Sequence, residues 1–97
     1  MMDPGVLVVV EVRSISDPEK FKAYQAGARE QIARWGGRVV ARGGSAAAGE
    51  QPFGPLMIQA WPSAQAFDAW QNSEEYRPLR EIRRSCADLR MAVVPQV

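Results

Sequence analysis

Histidine is absent from this 97-residue chain, and that one absence closes off more chemistry than any other feature of the sequence. It removes Ser-His and Cys-His nucleophile pairs, an imidazole general base, imidazole ligation of haem iron, and the ligand sets of most zinc and iron sites. Cysteine is nearly absent too. Cys86 stands alone, so no disulfide can form within the chain, which suits a reducing compartment. The carboxylates are scattered, with Glu74-Glu75 the one adjacent pair, and no acidic spacing resembles a calcium loop or a two-metal cluster. We therefore expect no metal and no cofactor. A phosphate-binding glycine loop is missing as well: Gly36-Gly37 and Gly43-Gly44 flank a strand, whereas a phosphate loop leads from strand into helix.

Long apolar runs are also lacking. Val6 to Val10 is too short to cross a bilayer, and Met1-Met2-Asp3-Pro4 carries no basic segment of the kind that opens a signal peptide. The expectation is a cytoplasmic protein with no membrane partner. A net charge of +1 argues against general attraction to polyanions, and Glu74 to Arg90 mixes five arginines with four acids, a poor phosphate track. No nucleic-acid partner is expected.

What is present reads as one domain over residues 1–97. A chain this short buries roughly two thirds of the surface its unfolded form exposes, so self-association is a common supplement. Gly5 to Arg13 is rich in β-branched residues and reads as a strand. Asp17-Pro18-Glu19 then opens a helix, with Asp17 as N-cap and Pro18 in the first turn, while Ser16 with Glu19 offers a competing capping box. Phe21, Tyr24, Ala28, Ile32 and Trp35 fall on one stripe of that helix, which Gly36 or Gly37 ends. Arg38 to Arg42 is a second strand. A loop from Gly43-Gly44 to Gly54-Pro55 follows, with room for a short strand extension at Ala46 to Ala48. Leu56 to Trp61 is the third strand. Ser63 caps a short helix through Phe67 and Trp70 to Gln71, Ser73 opens a further turn, and a helix from Pro78 to Ala87 leads into a last strand, Leu89 to Val94.

This order predicts an α+β, ferredoxin-like fold: a four-stranded antiparallel sheet with helices on one face. Strict alternation assigns Val6, Val8, Val10, Val39, Ala41, Leu56, Ile58, Leu89 and Met91 to the helix side. The other face then carries Leu7, Val9, Glu11, Arg38, Arg42, Met57, Gln59, Trp61 and Arg90, too apolar to be bare and too charged for an ordinary core. A homodimer packing sheet against sheet covers such a face, with Glu11, Arg38, Gln59 and Arg90 as candidate interface residues.

Gly36-Gly37-Arg38 with Arg42-Gly43-Gly44, then Trp61-Pro62-Ser63, then Ser73, Glu75, Tyr76, Arg80 and Arg83 resemble the signature of the domain-of-unknown-function family numbered 1330. That family belongs to the dimeric α+β barrel superfamily. The resemblance covers nearly the whole chain. It implies the dimeric barrel, but leaves activity open, because the superfamily holds cofactorless monooxygenases of polyketide-type aromatics, haem-degrading enzymes, muconolactone isomerases and structural members. The chain departs from the family pattern at Gly54-Pro55-Leu56 and Ala60, where relatives carry an arginine and a glutamate. The haem-degrading branch is disfavoured by the missing histidine.

Five side chains stand out as candidate ligand contacts: Tyr24, Arg42, Trp61, Tyr76 and Arg83. Tyr24 lies on the inner stripe of its helix, Trp61 and Trp70 can stack a ring or fill the core, and Tyr76 with Arg80 and Arg83 can frame a pocket mouth suited to a carboxylate or phenolate. Arg83 shares a face with Leu79, Ile82 and Cys86, so its guanidinium needs a partner, with Glu75 or a backbone carbonyl favoured. Cys86 on that stripe reads as a small hydrophobe. Two functions survive. One is a non-catalytic homodimer that binds a small hydrophobic or aromatic acid. The alternative is a cofactor-independent monooxygenase or isomerase acting on a small aromatic or polyketide-like substrate.

Overall fold

The computed structural model describes residues 4–51 and 53–97; Met1, Met2 and Asp3 of the opening stretch, and Pro52 in the long loop, lie outside them. The elements are β1 (Val6–Ile15), α1 (Pro18–Arg34), β2 (Arg38–Gly43), β3 (Leu56–Trp61), α2 (Ala64–Gln71), α3 (Arg77–Cys86) and β4 (Ala87–Pro95). The strands pair antiparallel in the order β2-β3-β1-β4, the α+β ferredoxin-like arrangement. Local chemistry sets the helix starts. Asp17 accepts a hydrogen bond from the Lys20 amide at 3.2 Å, and the Ser63 hydroxyl accepts one from Ala66 at 3.1 Å. Gly36, at φ +100°, takes the chain out of α1 in a conformation that a side chain resists. No strand forms over Ala46 to Ala48.

The core lies between the helices and one face of the sheet. Val6, Val8 and Val10 supply its floor, Phe21, Tyr24, Ala28 and Ile32 of α1 its roof, and Phe67, Trp70, Tyr76 and Cys86 fill the end under α2 and α3. Six aromatic rings are linked through it. Phe21 stacks on Tyr24, Tyr24 meets Tyr76 edge-on, Tyr76 tilts against Trp70 with centroids 4.4 Å apart, Trp70 stacks on Trp61, and Phe67 packs against both indoles.

Two assignments of side chains to faces are corrected by the register. Antiparallel pairing sets Val6 against Trp61, Val8 against Gln59 and Val10 against Met57, so Met57, Gln59 and Trp61 share the helix side. Ile58 and Ala60 turn outward instead. The physical reason is volume: Trp61 is large enough to fill the gap under α2, where Trp70 stacks on it at 5.5 Å, and its indole NH is satisfied by Gln59 Oε1 at 2.8 Å. Alanine at position 60 can do neither. Gln59, expected on the outer face, is only 5% exposed and lies on the helix side. The second correction concerns β2. The register shifts between Val39 and Ala41, leaving Val40 as the extra residue of a bulge. Arg38 therefore stays on the outer face, while Arg42 pairs with Met57 and turns to the helix side.

Glycine at position 37 is required by Trp61, because a Cβ there would stand 2.5 Å from indole Cε2. Gly37→Ala should cost about 1–3 kcal/mol of unfolding free energy through overpacking. A urea midpoint equal to that of the parent protein would show that this contact does not constrain the fold.

Candidate ligand-binding site

Between α1 and the sheet lies a cavity of about 450 Å³, within the range of small-molecule sites. It exists because α1 carries small Ala28 between Tyr24 and Ile32, above a floor of Val10, Met57, Leu89 and Met91. The walls are mostly apolar. Its polar side chains are Tyr24, Gln25, Arg29, Arg42, Gln59 and Gln71, and among the described residues no carboxylate lines it. Arg29 and Arg42 are exposed, one on α1 and one on β2, and neither forms an ion pair among the described residues. They leave cationic groups beside an apolar chamber. A ligand carboxylate reaching either guanidinium gains a charge-assisted hydrogen bond, worth about 1.5–3 kcal/mol when shielded from water.

Behind the cavity wall lies a pair of buried hydroxyls. Tyr24 Oη and Tyr76 Oη are 2.8 Å apart, and Arg83 Nη1 donates to Tyr76 Oη at 2.9 Å while its guanidinium carbon lies 5.9 Å from the Tyr76 ring centroid. Tyr76 is fully buried and Tyr24 is 7% exposed. Burial holds the Tyr24 phenol well above its usual range, with the Tyr76 hydroxyl adding to the effect and Arg83 opposing it. Tyr24 is thus a neutral hydrogen-bonding group and not a base.

The five residues singled out from the sequence separate into two groups. Tyr24 and Arg42 line the cavity. Trp61, Tyr76 and Arg83 stand behind it, the first in the aromatic stack and the other two in the hydroxyl network. The partner of Arg83 is the Tyr76 hydroxyl, with Met91 Sδ at 3.9 Å, and not Glu75 or a backbone carbonyl. Glu75 instead pairs with Arg34, across from α1. Arg80 holds the end of α2 through the Gln71 carbonyl at 2.9 Å. Cys86 is fully buried.

Gln25, Arg29 and Gln71 are cavity residues that sequence reasoning overlooked. Gln25 and Arg29 lie four apart, directly beside the Tyr24-Ala28 stripe, a spacing from which they can be found. Gln71 has no such signal. Gln31 was missed as well: its Oε1 accepts from the Trp70 indole at 3.0 Å and its Nε2 donates to the Glu75 carbonyl at 3.1 Å, tying α1 to the α2–α3 turn. Among the described residues, no group of acids and cysteine is placed to hold a metal ion, and no helix is long and apolar enough to cross a membrane.

The model of the domain of unknown function DUF1330 matches residues 5–97. The chain belongs to this family. No curated protein matches it. Among solved structures, this DUF1330 chain is similar to a protein of unknown function from Rhodopseudomonas palustris, with a TM-score of 0.79 and 19% identity, covering 97% of this chain and 84% of the other. It is also similar to SnoaB, a cofactor-independent oxygenase from Streptomyces nogalater, at TM-score 0.63 and 15% identity over 95% and 90% of the two chains. A dimeric ferredoxin-like protein of unknown function from Bacteroides fragilis aligns at TM-score 0.60 and 11% identity over 99% and 100%. At such identities the shared property is the fold.

The Tyr24 environment has a measurable consequence. Its folded-state pKa is raised, so the unfolded chain loses this proton first and stability falls as pH rises above the ordinary phenol value of about 10. Below that value the phenol contributes no pH dependence. In Tyr76→Phe, where Tyr24 is the one remaining tyrosine, absorbance at 295 nm should rise only together with the loss of folded circular dichroism. An ionisation step at about pH 10 in the folded protein would contradict the burial of this group.

Proposed function

We propose that this DUF1330 chain is a homodimer, in a reducing, cytoplasmic setting, whose subunits each bind a small hydrophobic or aromatic acid. The observation that carries the reading is the cavity of about 450 Å³ with apolar walls, lined among the described residues by two arginines free of ion pairs and by no carboxylate. Apolar surface supplies affinity for a ring or short aliphatic body, and Arg42 with Arg29 supplies the preference for an anion. Titrating the protein with 2-naphthoate in a calorimeter tests this directly. Arg42→Ala should weaken binding about tenfold, the equivalent of one exposed charge-assisted hydrogen bond. Unchanged affinity would remove Arg42 from the site.

The dimer is supported by the outer face as the register defines it. Leu7, Val9, Ile58, Ala60, Ala92 and Val94 lie there, around a Glu11–Arg90 pair at 3.5 Å. With Arg42 and Gln59 turned inward, this surface is more apolar than strict alternation predicts. Glu11 is already satisfied within its own chain, since its second oxygen accepts from the Gly54 amide at 3.2 Å. A second copy laid sheet to sheet buries the apolar set without stranding that carboxylate. Val9→Glu places an unpaired charge in the middle of the contact and should give a monomer by light scattering at micromolar concentration. A parent protein that is itself monomeric there would defeat the dimer.

Cofactor-independent oxygenation or isomerisation is the second reading, favoured by the fold likeness to SnoaB. Binding is preferred because, among the described residues, the cavity wall holds no side chain suited to accept a proton near neutral pH: Tyr24 is kept protonated, and arginine and glutamine are not bases. Oxygen consumption above the buffer rate on adding a hydroxyarene would reverse that preference.

A further inference from the structure

The network behind the cavity contains one more hydrogen than it can use. Arg83 only donates, and it donates to Tyr76 Oη. Tyr76 Oη and Tyr24 Oη share a single contact of 2.8 Å, so one hydroxyl donates across it and the other keeps its hydrogen unspent. If Tyr24 donates, the spare hydrogen belongs to Tyr76, fully buried, with no further partner for its hydroxyl among the described residues. Leaving a buried donor without a partner is costly. If Tyr76 donates, the spare hydrogen belongs to Tyr24, which lines the cavity. The second arrangement is favoured, and it is reinforced along the chain, because an oxygen that receives a bond from a cation becomes the better donor to its neighbour.

We infer that Tyr24 presents its hydroxyl hydrogen to the cavity, set in that direction by Arg83 acting through Tyr76, and that the preferred ligand is an aromatic acid bearing a second, acceptor oxygen such as a hydroxyl or carbonyl. This rests on the acid-binding reading above and adds to it a second point of recognition. Arg42 and Arg29 meet the carboxylate, and Tyr24 meets the other oxygen. Tyr76 and Arg83 are positioning residues, since neither lines the cavity. The raised proton affinity of Tyr24 keeps this donor in place throughout the neutral range.

The test compares two probes, 2-naphthoate and 6-hydroxy-2-naphthoate, by calorimetry on the full chain. The parent protein should bind the hydroxylated probe about fivefold to tenfold more tightly, the range expected of one well-placed hydrogen bond. Tyr24→Phe should abolish that ratio, weakening the hydroxylated probe about fivefold to tenfold more than 2-naphthoate. Tyr76→Phe, which keeps the ring and breaks the chain of donors, should shrink the ratio too, whereas a merely structural effect would weaken both probes alike. Equal binding of the two probes to the parent protein, or a ratio that survives Tyr24→Phe, overturns the inference while leaving the acid site standing. Failure of both probes to bind overturns the two readings together.

Discussion

The stack of Trp61 on Trp70, in the space that Gly37 leaves open, is the contact on which most of this molecule depends. A strand of six residues has two possible phases, and a slip of one residue would exchange every side chain between the faces of the sheet. Trp61 decides the phase of β3. Its indole needs a large, dry space and an acceptor for its NH; the helix side offers Trp70 and Phe67 for the ring and Gln59 Oε1 for the donor. Once Trp61 faces inward, Gln59 and Met57 follow by alternation. Both then become cavity wall, and Ile58 and Ala60 become outer surface.

The same contact shapes the chemistry of the cavity. Trp70 is held from above by Gln31 and from the side by the Tyr76 ring, and the Ser73 hydroxyl donates to the Trp70 carbonyl at 2.7 Å while accepting from the Tyr76 amide at 3.1 Å. This fixes the start of α3, which lacks a side-chain cap of its own at Tyr76. From there about two turns of helix bring Arg83 back over the Tyr76 ring. A cation can be tolerated in this partly buried place because it donates to a hydroxyl, lies near a π face and contacts the Met91 sulfur. The result is a cavity backed by a packed Tyr24–Tyr76–Arg83 network, whose cationic groups, on α1 and β2, are exposed.

Inside and outside are coupled through β2 as well. The bulge at Val40 separates Arg38 from Arg42, two residues that a regular strand would place on the same face. One arginine is delivered to the cavity and the other left with the outer sheet surface. An extra residue at the edge of a sheet thus divides a pair of equal charges between the cavity and the outer face of the sheet.

Glycine pairs, the Asp17 and Ser63 caps, and the apolar periods were enough by themselves to determine the order of elements, their approximate limits and the ferredoxin-like fold, because these signals act over a few residues and are independent of what packs where. Tyr24 was legible as an inner residue for the same reason: helix spacing is local. The faces of β3 were not legible, since Leu56-Met57-Ile58-Gln59-Ala60-Trp61 offers an acceptable apolar set in either phase, and only the volume beneath α2 distinguishes them. The bulge at Val40 was hidden because nothing in Arg38 to Gly43 marks an extra residue before the strand is paired. Nor could the sequence join Tyr24 to Tyr76 across 52 positions, or give Arg83 a hydroxyl as its partner. Those contacts belong to the tertiary structure, which alone determines which distant side chains share a desolvated space.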